Sequence, residues 1–104
     1  MVFDNLRTLE RTKILLHVVD IAGVEGRDPF QDYLAINKEL SLYGRAVSEK
    51  PQVVACNKMD LPGAEEKFRE FSEKFEGKAF PISAATGRGL EELLKEVWRV
   101  EHEV

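Results

Sequence analysis

Three short apolar runs, separated by longer amphipathic stretches, set the pattern of this chain. Residues 13–20, KILLHVVD, are almost continuously apolar over the length of a strand and end on an acid. Residues 52–56, QVVAC, form a second run, and residues 79–83, AFPIS, a weaker third. Strands that are apolar along their whole length, rather than at alternate positions, belong to parallel sheets covered on both faces. Pro81 cannot donate to a ladder, which places the third run at an edge.

Between these runs the apolar period changes to that of a helix. Asp28 followed by Pro29 reads as an N-cap and a first helical position. Phe30, Tyr33, Leu34, Leu40 and Val47 then fall largely on one face, which predicts a helix running to about Ser48. Phe68, Phe71 and Phe75 recur at helical spacing, with Gly77 placed to cap that helix. Leu90, Leu93, Leu94, Val97 and Trp98 follow the i, i+3, i+4, i+7, i+8 pattern, which predicts a last helix burying a broad stripe, Trp98 included. A helical piece over Asn5–Arg11 is expected before the first strand. The order (α)βαβαβα describes one α/β domain of about three parallel strands, with helices on both faces in three layers.

Composition narrows the class. A chain of 104 residues can bury one modest core. The net charge of -4 does not favour free nucleic acid as the main partner. The single cysteine, Cys56, lies in an apolar strand, so it reads as a small buried hydrophobe in a reducing compartment, with no disulfide framework. No apolar run approaches the roughly 18 residues of a membrane span. The first residues, MVFDNLRTLERTK, are too polar for a signal peptide. A cytoplasmic protein without a membrane partner is expected.

Candidate chemistry gathers at one rim. In open parallel sheets ligands bind beyond the C-terminal ends of the strands. Asp20, Asn57–Asp60 and Ser83–Thr86 all fall there. An ionised carboxylate such as that of Asp60 only accepts, and it can accept two parallel bonds. Guanine presents N1–H and its N2 amine side by side, whereas adenine presents an acceptor at N1. One fixed carboxylate therefore separates the two bases by roughly 1–3 kcal/mol. Asn57 can donate to N7 or to nearby main chain, and Lys58 can lay its stem on the base face with its ammonium in water. In SAATGRG, residues 83–89, the Ala84 N–H can donate to guanine O6. Ala85 continues that loop, and Ser83 can hold Asp60 in orientation. His17, inside an apolar strand, reads as a satisfied core histidine. No metal-ligand spacing or nucleophile elbow is present.

Asn57-Lys58-Met59-Asp60 resembles the N-K-x-D motif of P-loop GTPases, and Ser83-Ala84 resembles their later S-A motif, one helix and one strand further on. The segment RTKILLHVVDIAG-EGRDP, residues 11–29 with Val24 at the gap, is similar to the Obg family of bacterial GTPases, as is the run around Pro51–Pro62. The likeness extends from about Leu6 to Val100. It implies a guanine-nucleotide site formed by Asn57, Lys58, Asp60, Ser83, Ala84 and Ala85, with GTP or GDP as ligand. It also implies association with the large ribosomal subunit and its assembly.

The chain contains no G-x-x-x-x-G-K-[ST] phosphate loop; its only Gly-Lys is Gly77-Lys78, followed by Ala79. Residues 1–104 therefore resemble the C-terminal half of a GTPase domain, one that reads the base and lacks the phosphate edge. Such a fragment is expected to bind GTP or GDP weakly and not to hydrolyse GTP, with Mg2+ required only in the full-length parent. Asp20-Ile21-Ala22-Gly23 fits the D-x-x-G pattern, but only one helix separates it from Asn57, so Asp20 is expected to cap its own loop. Arg27 and Asp28 are expected to pair locally. The first strand of a complete fold would lie beside residues 13–20; without it that run is an exposed apolar edge, and a homodimer through it is expected. The alternative class is an interaction module that keeps the half-fold without using nucleotide.

Overall fold

The computed structural model describes residues 13–23 and 26–103. The helical piece expected over Asn5–Arg11 lies outside them. The order is β1 (Leu15–Asp20), α1 (Pro29–Ser41), α2 (Arg45–Ser48), β2 (Gln52–Asn57), α3 (Ala64–Lys74), β3 (Ala79–Pro81) and α4 (Leu90–Glu103). The three strands form one parallel sheet in the order β1-β2-β3, the α/β arrangement expected of half a P-loop fold. Leu16 pairs with Val53, Val18 with Ala55 and Asp20 with Asn57. Val54 pairs with Ala79 and Cys56 with Pro81, so the proline does sit on an edge strand.

Each face of the sheet has its own core. On one face Val19, Ile21, Val54 and Cys56 meet Ala64 and Phe71 of α3, flanked by Phe30 and Tyr33 of α1 and by Phe68 and Phe75. Edge-to-face ring pairs knit the two helices together: Phe30 and Phe71 lie 5.7 Å apart and Tyr33 and Phe75 5.3 Å apart. Each such pair adds about 0.5–1.5 kcal/mol beyond its area. On the other face Val53, Ala55, Phe80 and Ile82 pack against Leu93 of α4, with Leu90, Val97 and Val100 around it. A smaller cluster of Leu15, Leu40 and Val47 closes the end where α1 turns into α2.

Four expectations are corrected. The helix that starts at Pro29 ends at Ser41, and a separate short turn follows at Arg45–Ser48. Gly44 between them has φ 91 and ψ 176, a conformation open to glycine and incompatible with a continuing helix. Helix α3 ends at Lys74 on an extended Phe75, ahead of Gly77, which therefore does not cap it. The third strand stops at Pro81 rather than Ser83. Helix α4 buries a narrower stripe than its pattern predicts: Leu93 is buried, whereas Leu94 is 65% and Trp98 62% exposed. A sheet of three strands offers α4 one strip of surface, so the residues flanking that strip meet solvent. No helix among the described residues is long and apolar enough to cross a membrane.

Candidate functional site

The C-terminal ends of the strands are tied into one rim. Ile82 N–H donates to Cys56 O at 2.8 Å and Met59 N–H to Ile82 O at 3.1 Å, so the chain leaving β2 is bonded to the chain leaving β3. Met59 turns inward and is buried, which leaves its neighbours Lys58 and Asp60 facing out. That reversal requires a left-handed residue, and Lys58 supplies it with φ 75. A non-glycine residue in this region carries backbone strain of the kind concentrated at functional sites.

Ser83 is the hinge of the second segment. It is fully buried, and its hydroxyl donates to Asp60 Oδ1 at 2.8 Å while accepting from Thr86 N–H at 3.2 Å. Its main chain closes the loop as well, with Ser83 N–H donating to Arg88 O and Gly87 N–H to Ser83 O. Gly89 ends the loop at φ 74, where a side chain would run into Pro81 O. The loop thus sits directly on β3, and the Ser83–Asp60 contact joins it to the end of β2.

Asn57 Oδ1 accepts from Ala84 N–H at 2.9 Å. The Ala84 N–H, expected to face a ligand, is therefore engaged with Asn57, and the Nδ2 end of that amide is the one left to donate outward. Asn57, Lys58, Asp60, Ala84 and Ala85 line a single open cleft of about 390 Å³, together with Leu61. Five of the six residues singled out in the sequence share this cleft, and the sixth, Ser83, lies beneath it. Leu61 was not singled out; its only signal in the sequence is its place directly after Asp60, and in the structure it is exposed.

Asp20 has two partners. Its Oδ1 accepts from Ala22 N–H at 2.9 Å, which is the loop cap expected of it, and its Oδ2 pairs with Lys58 Nζ at 2.9 Å. The second contact follows from register, because Asp20 and Asn57 are direct neighbours on β1 and β2. The expected Arg27–Asp28 pair is not formed. Arg27 reaches Asp32 at 3.2 Å, and Asp28 caps Phe30 N–H and pairs with Lys74 at 3.2 Å. As an N-cap, Asp28 has its carboxylate directed along α1 and toward α3, away from its neighbour in sequence. Among the described residues no cluster of three or more His, Cys, Asp or Glu side chains could hold a metal ion.

Sequence comparison places this rim in context. Proteins named GTPase Obg match most of the chain. One from Geobacillus kaustophilus (strain HTA426) is 58% identical over 92 residues, covering 86% of this chain and 21% of its own length. By sequence, the chain is similar to one part of the Obg GTPases. The Obg protein of Ruminiclostridium cellulolyticum is 56% identical over 92 residues, covering 86% of this chain and 22% of its own length. That of Clostridium tetani is 51% identical over 98 residues, 90% of this chain and 23% of its own. The chain spans about a fifth of the length of the Obg relatives it matches. No family model matches the chain.

Proposed function

We propose that this rim reads the guanine base of GTP or GDP. The observation that carries the reading is the fixed carboxylate of Asp60: one oxygen is held by buried Ser83, and the side chain opens onto a cleft shared with Asn57, Lys58, Ala84 and Ala85. A carboxylate oriented in advance accepts from guanine N1–H and N2–H together, and adenine would leave it facing an acceptor. The Asn57 Nδ2 donates to the base edge, and the Lys58 stem covers its face. Binding, rather than hydrolysis, is the activity assigned to these residues, and no step through Mg2+ is assigned to them. The match to proteins named GTPase Obg supports guanine nucleotide as ligand; a cytoplasmic location and a place in assembly of the large ribosomal subunit belong to the proposal through the family resemblance alone.

Base contacts contribute on the order of 1 kcal/mol each, against several kcal/mol for lost ligand freedom, so affinity near about 1 mM is expected. Titration with GDP and then ADP, followed by amide chemical shifts, tests the reading. Shifts at Asn57–Asp60 and Ser83–Thr86 with GDP alone support it. Silence with both nucleotides on a folded chain removes it. A second reading, an interaction module that associates through its strand edge, is favoured by the exposure of Leu16 at 45% and Val18 at 46% on β1.

A further inference from the structure

Lys58 lines the base cleft and is held at both ends. Its backbone is fixed at φ 75 between Asn57, the last residue of β2, and buried Met59. Its ammonium reaches across to β1, where Nζ lies 2.9 Å from Asp20 Oδ2. Neighbouring strands lie about 4.8 Å apart, a gap that a lysine stem spans. The stem therefore bridges the ends of two strands.

Asp20 is itself held. Its Oδ1 accepts from Ala22 N–H at 2.9 Å and its carbonyl from Gly23 N–H at 3.1 Å, so the turn after β1 closes around it. Fully buried Ile21, inside that turn, donates its N–H to Asn57 O at 3.1 Å. Helix α3 fastens the turn from the other side, with Lys67 Nζ donating to Ala22 O at 3.1 Å. The carboxylate oxygens thus have separate tasks. Oδ1 fixes the rotamer, and Oδ2 is left for Lys58. Asp20 does not line the cleft, which Lys58 shares with Asn57, Asp60, Leu61, Ala84 and Ala85.

We propose, building on the guanine reading of this rim, that Asp20 is a positioning residue for nucleotide binding that acts through the Lys58 ammonium. The tether does two things. First, it sets the Lys58 stem in place as a wall for the base before the ligand arrives. A free lysine samples many rotamers, and ordering it at the moment of binding costs affinity. Second, it holds the ammonium away from Asp60, the other carboxylate in reach of the same cleft. An ammonium resting on Asp60 would occupy the acceptor sites that guanine N1–H and N2–H require. A half-exposed ion pair adds little to folding stability, so the effect of this contact falls on binding.

GDP titrations of the full chain, followed by amide chemical shifts, test this with Asp20→Asn, Lys58→Met and the double variant. Asparagine at position 20 keeps an oxygen for the Ala22 N–H and has no carboxylate for Lys58. GDP should bind Asp20→Asn about three- to fivefold more weakly than wild type. In the Lys58→Met background the same substitution should change affinity by less than about 1.5-fold, because the ammonium it serves is gone. Methylene carbon relaxation of Lys58, recorded without nucleotide, should show a restrained stem in wild type and a mobile one in Asp20→Asn. A loss of the same size in both backgrounds overturns the proposal, since Asp20 would then act on the rim as a whole. Unchanged GDP affinity in Asp20→Asn overturns it too, as does equal mobility of the Lys58 stem in the two proteins. A wild-type chain whose shifts do not respond to GDP overturns the guanine reading, and this proposal with it.

Discussion

Ser83 Oγ donates to Asp60 Oδ1 at 2.8 Å, joining a fully buried hydroxyl on the chain leaving β3 to an exposed carboxylate on the chain leaving β2. This bond consumes one lone pair of the carboxylate and fixes its rotamer, so the remaining acceptor sites face the cleft in a set direction. Removing either partner should have a different effect. Asp60→Ala deletes the acceptor itself and should abolish the preference for GDP over ADP. Ser83→Ala leaves the carboxylate but frees its rotation, and should weaken GDP binding by about fivefold, on the order of 1 kcal/mol. Amide-shift titrations of both variants check this. Equal loss in the two would mean that Ser83 supports the loop rather than the carboxylate.

The left-handed φ of Lys58 predicts an unusual substitution series. An L-residue in this conformation costs roughly 1–2 kcal/mol, and glycine escapes that cost. Lys58→Ala and Lys58→Gly both lose the 2.9 Å pair with Asp20, so their comparison isolates the backbone. Lys58→Gly should be the more stable of the two by about 0.5–1 kcal/mol, although glycine destabilises most other positions. Urea denaturation of the two variants side by side gives the answer. If Lys58→Ala is the more stable, the strain is absent.

Burial drives the Cys56 thiol up to about 12, with no charged group nearby to offset it. The thiolate is the reactive form, so the native protein should resist alkylation near neutral pH and react only through unfolding. Iodoacetamide labelling followed by mass spectrometry should track the unfolded fraction as urea is raised. Fast labelling of the native chain would contradict the burial of this strand.

The parts of this molecule that were legible in its sequence are those set by short-range pattern. Continuous apolar runs marked the three strands, Asp28-Pro29 marked the start of α1, and Asn57–Asp60 with Ser83-Ala84 marked the rim. What escaped depended on partners distant in sequence. The pairing of Lys58 with Asp20 follows from a register that no local pattern encodes. The Arg27–Asp28 expectation failed because capping geometry turned the Asp28 carboxylate along α1. Periodicity assigned Leu94 and Trp98 to the core, yet periodicity shows only that a helix is apolar on one side. How much of that side is covered depends on the width of the sheet beneath it. His17 is the sharpest case: its burial was legible, its lack of a partner was not.

That missing partner makes stability depend on pH. Burial lowers the pKa of His17 below its ordinary value of 6.5, and the Gln52 side chain opposes this without forming a well-aligned hydrogen bond. The Tyr33 ring lies 5.0 Å away, and Asp20, Arg27, Asp32 and Glu39 line the same cavity. Above about pH 6.5 the imidazole is neutral in both folded and unfolded chains and has no linkage effect. As pH falls below that value the unfolded chain takes up a proton that the folded chain refuses, so stability declines. The decline ends once pH passes the lowered folded value. His17→Leu removes the titrating group and should flatten this part of the profile. The measurement is urea unfolding of both proteins between about pH 5 and 8, at concentrations where the chain is monomeric. The difference between wild type and variant isolates His17 from every other titration, and its slope should be positive with pH below about 6.5. A difference that does not vary with pH would mean that His17 finds its proton acceptor within the fold.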